Sequence, residues 1–205
     1  MTPEVYLASS SPRRGALLTQ LGVNFEVIRP DVDEGIMAGE TPERYVIRLA
    51  LEKARAGWQW LQQQRKPRRP VIGADTCIVC GEQLMGKPKD KTDFNRLFAQ
   101  LSGNTHEVYS AVAVAGIVPG GTTNPDELYR VNISRVQFRS ISQQERDTYW
   151  QTGEPADKAG GYAIQGLAAG FVQNLNGSYS AVVGLPLFET AELLEAFGIY
   201  IVRVA

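Results

Sequence analysis

Hydrophobic positions along the 205-residue chain follow two periods, and the switches between them mark its elements. Val5-Tyr6-Leu7-Ala8 is a short continuous apolar run, which reads as a buried strand. Ser9-Ser10-Ser11-Pro12 follows, with Ser11 placed as an N-cap and Pro12 at the first helical position. Leu17, Leu18 and Leu21 supply the apolar stripe of that helix, and Gly22 stops it. Phe25, Val27 and Ile28 predict a second strand, and residues 29–40 an acidic loop with Asp31, Asp33 and Glu34. Thr41-Pro42 opens a long helix on which Val46, Leu49, Ala50, Lys53 and Gly57 share one face.

Val71 to Val79 reads as a strand interrupted by polar Asp75 and Thr76. A helix is predicted from about Lys91 to Leu101, stopped by Gly103. Val108, Ser110, Val112 and Val114 form one face of a long strand, and Tyr129 to Phe138 returns beside it. Ser142-Gln143-Gln144-Glu145 matches a capping box. Gly153 to Gly170 is glycine-rich and irregular; strands are expected at Phe171–Leu175, Ala181–Val183 and Tyr200–Val204, with a helix over Pro186–Phe197. This order predicts an α/β protein with a mixed, twisted sheet flanked by helices. No repeat is visible, and the length suits one domain or two lobes sharing a core.

Charge and composition then remove function classes. The net charge of −1 argues against a general nucleic-acid binder. The basic run Arg65 to Pro70 holds no aromatic residue and reads as a solvated linker. No apolar run nears the ~20 residues that a membrane span needs. The N-terminal residues carry Glu4 and no basic stretch, unlike a secretory signal, so a cytoplasmic protein is expected. Cys77 and Cys80 form a lone CxxC; with a single histidine, His106, the chain offers no four-ligand zinc set. Two buried apolar cysteines are expected instead.

Six segments carry candidate chemistry. Ser9-Ser10-Ser11-Pro12-Arg13-Arg14 is a strand-to-helix turn whose free N–H groups, hydroxyls and two arginines suit a phosphate; a plain capped helix is the alternative. Arginines in a first helical turn oppose the helix dipole unless an anion is present. Asp75 lies between apolar pairs, where a carboxylate is costly unless paired or metal-bound; it could equally cap a turn. Asp33-Glu34 alone reads as a solvated acidic pair, and Lys53 as a snorkelling lysine or a cation aimed into a cleft. Gly86-Lys87-Pro88 fixes a lysine in a turn. The glycine-rich stretch Asp157 to Gly166 carries Gln165, whose amide both donates and accepts and so suits a base edge. Together these supply cations for phosphates, carboxylates for a metal and an amide for a base, with no Walker A sequence.

Taken in order, these motifs resemble the Maf family of nucleoside triphosphate pyrophosphatases. The resemblance runs through Leu7 to Arg14, Val32-Asp33-Glu34, Arg48-Leu49-Ala50 with Glu52-Lys53-Ala54, Gly73-Ala74-Asp75-Thr76, Gly86-Lys87-Pro88 and Ser102 to His106. It continues through Asp157-Lys158-Ala159-Gly160, Ile164-Gln165-Gly166, and Gly177-Ser178-Tyr179 to Pro186. It implies a single domain over residues 1–205, related to the inosine triphosphate pyrophosphatase fold, with two lobes and a central cleft, forming a homodimer. It implies metal-dependent hydrolysis of a nucleoside triphosphate to monophosphate and pyrophosphate, with Mg²⁺ or Mn²⁺. Asp75 is then the catalytic carboxylate and, with Glu34, the metal site. Ser9, Ser11, Arg13, Arg14, Lys53 and Lys87 serve the phosphates. Arg13, Thr76 and Gln165 match positions that separate specificity groups, here of the dTTP/UTP kind rather than the 7-methyl-GTP kind. The alternative is a nucleotide-binding regulator of cell division without turnover, which could dispense with Asp75.

Overall fold

Three helix starts are set by the residues just before them. The computed structural model describes residues 2–202, and in it α1 spans Pro12–Gln20 with Ser11 at the N-cap position. Helix α2 spans Pro42–Gln63, and the Thr41 side chain accepts the Arg44 N–H. Asp90 does the same for Asp93 at the head of α3, Lys91–Leu101. Each start supplies an acceptor or a proline where helix donors lack partners. At the far end of α2, Arg65 takes a positive φ of 52°, and the Lys66 N–H reaches back to the Leu61 carbonyl at 2.9 Å. Glycine normally holds that left-handed position.

The strands are β1 (Val5–Ala8), β2 (Phe25–Ile28), β3 (Val71–Cys80), β4 (Gln83–Met85), β5 (Thr105–Gly116), β6 (Asp126–Phe138) and β7 (Val172–Asn176). Their order is β2-β1-β3-β5-β6-β7, with β4 on β3. β1 runs parallel to β2 and β3, whereas β3–β4 and β6–β7 are antiparallel. The sheet is therefore mixed, as the sequence pattern predicts. Among the described residues, three further α-helices, α4 (Gln143–Gln151), α5 (Tyr179–Val183) and α6 (Leu187–Ala196), and two short 3-10 helices, Ala159–Gly161 and Leu167–Phe171, complete the element order.

The described residues form two compact units, 2–75 with 110–132 and 184–202, and 76–109 with 133–183. In the first, α2 buries Val46, Leu49, Ala50, Lys53, Ala54 and Gly57, the face that the 3.6-residue period marks out. Gly57 is there because a Cβ would lie 2.6 Å from Val71 Cγ1 of β3. Along β5, Ala111, Ala113 and Ala115 are buried along with Val112 and Val114. A strand covered on both faces reads as a continuous apolar run rather than an alternation. The second unit is built on aromatic packing. Phe94 and Phe98 on α3 lie 4.6 Å apart, and Phe98 meets Phe171 edge-on at 5.9 Å. Such pairs add roughly 0.5–1.5 kcal/mol each beyond their buried area.

Four expectations change. Asp75 and Thr76 do not interrupt β3, which runs unbroken over ten residues. Ala181–Val183 lies in α5 rather than in a strand, because the Ser178 hydroxyl accepts the Ala181 N–H at 3.3 Å and caps a helical turn. Tyr200 to Val202 is not a strand; residues 203 and 204 of that expected strand lie outside the described residues. Cys77 is buried but Cys80 is only partly so. The Cys80 thiol donates to the Gln100 carbonyl at 3.4 Å, and burial pushes its pKa up. No helix among the described residues is long and apolar enough to cross a membrane.

Candidate active site

Lys53 is the hub of the first unit's charged cluster. It sits on the buried face of α2, one turn after Ala50, so its ammonium is carried along the core rather than into solvent. Its Nζ lies 2.7 Å from Asp75 Oδ1 and 2.6 Å from Glu34 Oε1. The Lys53 and Asp75 side chains are each only 11% exposed, so this pair is desolvated, and breaking it would leave a buried charge. That compensation is why a carboxylate is tolerated in the middle of β3. Glu34 is exposed and comes from the acidic loop after β2.

The strand-to-helix turn after β1 supplies the arginines. The half-buried Arg14 donates from Nε to the Gly184 carbonyl at 2.8 Å and from Nη1 to the Ser9 hydroxyl at 3.2 Å. Both acceptors are neutral, so its charge is held in place without being cancelled. Burial lowers the Arg14 pKa, and the nearby carboxylates of Asp75 and Glu34 counter this while Arg13 adds to it. Ser9 is buried, and its Oγ also accepts the Ser11 N–H at 3.2 Å. Ser11 makes no side-chain capping bond, so its hydroxyl is not consumed by the helix start. Arg13 is half-buried in the first turn of α1.

A positioning residue that sequence reasoning missed fixes the Glu34 loop. Arg48 grips Glu40 with Nε at 2.7 Å and Nη2 at 2.8 Å, and Nη2 also reaches the Gly35 carbonyl at 2.9 Å. The paired bonds to Glu40 raise the Arg48 pKa and lower that of Glu40. The Tyr45 hydroxyl donates to the Glu34 carbonyl at 3.1 Å. The Glu52 four residues after Arg48 hints at a helix-face pair, but nothing in the spacing reveals Glu40 or Gly35 as partners.

The remaining candidates belong to the second unit. Thr76 is half-buried and follows Asp75 directly on β3. Lys87 is exposed on the turn after β4, beside the buried Pro88. The Gly160 N–H donates to the Gly86 carbonyl at 3.0 Å, which brings the glycine-rich loop against the Lys87 turn. Gly160 and Gly161 both take positive φ, 64° and 71°, and a Cβ at either would crowd Ile78 at 2.9 Å or Phe94 at 3.0 Å. Gln165 is exposed on that loop. His106 is buried under the same loop, with Nε2 2.8 Å from the Tyr162 hydroxyl.

Among the described residues, no three His, Cys, Asp or Glu side chains stand together as a complete metal site. The donors that do converge, Asp75 and Glu34, are both carboxylates. This oxygen-only pair fits a magnesium-like ion, which one or two carboxylates hold while phosphate and water fill the other positions.

Comparison with known proteins agrees with the residue pattern. Residues 4–197 match the family described as Maf-like protein. A dTTP/UTP pyrophosphatase of Alkalilimnicola ehrlichii is 48% identical, covering 96% of this chain and 94% of that one. Those of Saccharophagus degradans and Pseudoalteromonas translucida are 51% and 49% identical, covering 95% and 96% of this chain and 89% and 98% of theirs. A solved Nucleoside-triphosphatase / dITP/XTP pyrophosphatase from Mycobacterium abscessus superposes with a TM-score of 0.39 at 18% identity, over 67% of this chain and 75% of that one. A match that runs through nearly every described element, with relatives near half-identical along their length, places the chain in the Maf family.

Proposed function

We propose that this chain hydrolyses dTTP and UTP to the monophosphate and pyrophosphate. The observation that carries the reading is the Lys53 ammonium held between Asp75 and Glu34, with Arg14 fixed alongside on neutral acceptors. The name shared by the curated relatives supports the substrate class. Asp75 takes the proton of a water whose oxygen bonds to the α-phosphorus. The bond from that phosphorus to the bridging oxygen breaks, and pyrophosphate leaves with the electron pair. Arg13, Arg14, Lys53 and Lys87 offset the triphosphate charge of about −4 and the charge gathering on the leaving group, the main resource in this chemistry. Ser9 and Ser11 donate to phosphate oxygens.

Asp75 and Glu34 would hold a Mg²⁺ or Mn²⁺ ion, which when bound neutralises phosphate charge and polarises the reacting phosphorus. Gln165 pairs with the N3–H and a carbonyl of thymine or uracil at once; Thr76 and Arg13 belong to the same selection. The chain acts as one catalytic domain, as a cytoplasmic homodimer with no nucleic-acid or membrane partner.

The test is a panel of nucleoside triphosphates with Mg²⁺ or Mn²⁺, assayed for pyrophosphate against orthophosphate. Pyrophosphate and monophosphate from dTTP and UTP, abolished by EDTA, are expected. Orthophosphate as the first product would overturn the reaction. Nucleotide binding without turnover would favour a regulatory protein instead.

A further inference from the structure

The loop that carries Gln165 is held from behind by one carboxylate. Glu154 Oε2 accepts the Leu167 N–H at 3.0 Å, and Oε1 accepts the Ala168 N–H at 3.3 Å and the Tyr149 hydroxyl at 2.7 Å. Burial pushes the Glu154 pKa up, but these three donors and Lys158 outweigh it and hold the group below its usual range. Tyr149 is itself buried on α4, so the carboxylate is braced from the core side as well.

Gly166 is the point of contact. A Cβ there would stand 2.3 Å from Glu154 Oε2, while its backbone is extended, with φ −109° and ψ −150°. Any residue can adopt that conformation, so it is the carboxylate, and not the backbone, that demands glycine. On the other side of Gln165, Tyr162 is tied to His106 at 2.8 Å. Gln165 is therefore the exposed residue of a short span between two fixed points, after the buried Ala163 and Ile164 and before the half-buried Gly166.

We propose that Glu154 is a positioning residue for base selection: by clamping the Leu167 and Ala168 amides it sets where the Gln165 amide stands. This rests on the base-reading role given to Gln165 above. Replacing one carboxylate oxygen by an amide NH₂ in Glu154→Gln turns a donor towards a donor. Gly166→Ala reaches the same end by another route, since its methyl must displace the carboxylate.

The experiment measures kcat and KM for dTTP and GTP in the wild type, Gln165→Glu, Glu154→Gln and Gly166→Ala, with melting temperatures alongside. The expected result is a roughly tenfold fall in the dTTP-over-GTP ratio of kcat/KM in all three variants, about one lost hydrogen bond, with the loss in the dTTP KM. A merely structural role would lower kcat for both substrates in parallel and leave the ratio and KM unchanged. A fall in Gln165→Glu but an unchanged ratio in Glu154→Gln and Gly166→Ala would overturn the clamp and leave base reading standing. An unchanged ratio in Gln165→Glu would overturn base reading and the clamp together. Should Glu154→Gln fail to fold, Gly166→Ala decides alone, because its backbone is unstrained.

Discussion

An ideal Cβ on Gly73 would stand 2.2 Å from the carbonyl oxygen of Ala50. Helix α2 and strand β3 touch backbone to backbone at that point. Lys53 follows Ala50 by one turn of helix, and Asp75 follows Gly73 by one full strand repeat, so both pairs lie on matching faces. The close approach is what sets the ammonium beside the carboxylate.

Gly73→Ala should therefore damage stability and chemistry together. The clashing atoms are backbone, Ala50 O and Ala54 N, and cannot rotate away. A loss of roughly 1–3 kcal/mol is expected for such overpacking, read as a lower urea midpoint, together with reduced turnover. A variant with wild-type stability and rate would mean that the helix shifts without cost.

Asp75→Asn keeps the shape of the side chain and removes its charge. Turnover should drop by at least about 10²-fold if the group takes a proton. Lys53 keeps Glu34 as a counter-charge, so the fold should survive, as judged by circular dichroism. Wild-type pyrophosphate release from the folded variant would contradict the assignment.

Lys53→Gln removes the cation that occupies Asp75 and Glu34. Without nucleotide, the variant should bind Mn²⁺ at least about tenfold more tightly, since a unit charge a few ångströms away is worth more than 1.4 kcal/mol at a partly buried site. Calorimetric titration of nucleotide-free protein reads this directly. An equal affinity would mean that these carboxylates do not hold the ion.

His106 gives a pH signature. It is buried and set edge-on to Phe138 and Tyr162, and burial pushes its pKa down to about 4. The unfolded chain binds that proton from about pH 6.5 downward. This stability is thus fully present above about pH 6.5 and is lost progressively as pH falls from there to about 4, by about 3 kcal/mol in all. Carboxylates held below their usual range, Glu40 and Glu154 among them, add to the loss only at the acid end of this window, so the His106 variant isolates the share of the chain's one histidine. Urea unfolding at pH 7.5 and 4.5 should show the loss in the wild type and much less of it in His106→Gln.

The sequence reveals most where signals are local. Cap residues and prolines mark α1 and α2, and the spacing of Val46, Leu49, Ala50, Lys53 and Gly57 already puts Lys53 on the core face. Its partners stay hidden, because Glu34 and Asp75 are joined to it only by the fold. Val182 and Val183 favour a strand by propensity, yet one serine hydroxyl is enough to start a helical turn there. β4 hangs on one local feature: Gly81, with φ 62°, opens a tight turn that pairs Cys80 with Gln83. Glu154 gives no such sign, since its amide partners come thirteen and fourteen residues later.

The bond from Arg14 to Gly184 spans 170 residues of chain, and it bears on how the protein is born. The first unit is assembled from three separate stretches, the last beginning at residue 184. On the ribosome, Arg14 emerges 170 residues before Gly184 and waits without its carbonyl until that stretch has been made. Contacts this distant in sequence close late, because the intervening loop must first be ordered. A chain interrupted before Gly184 thus carries an unanchored arginine, and it should stay inert toward nucleotide until the stretch beginning at residue 184 has been made.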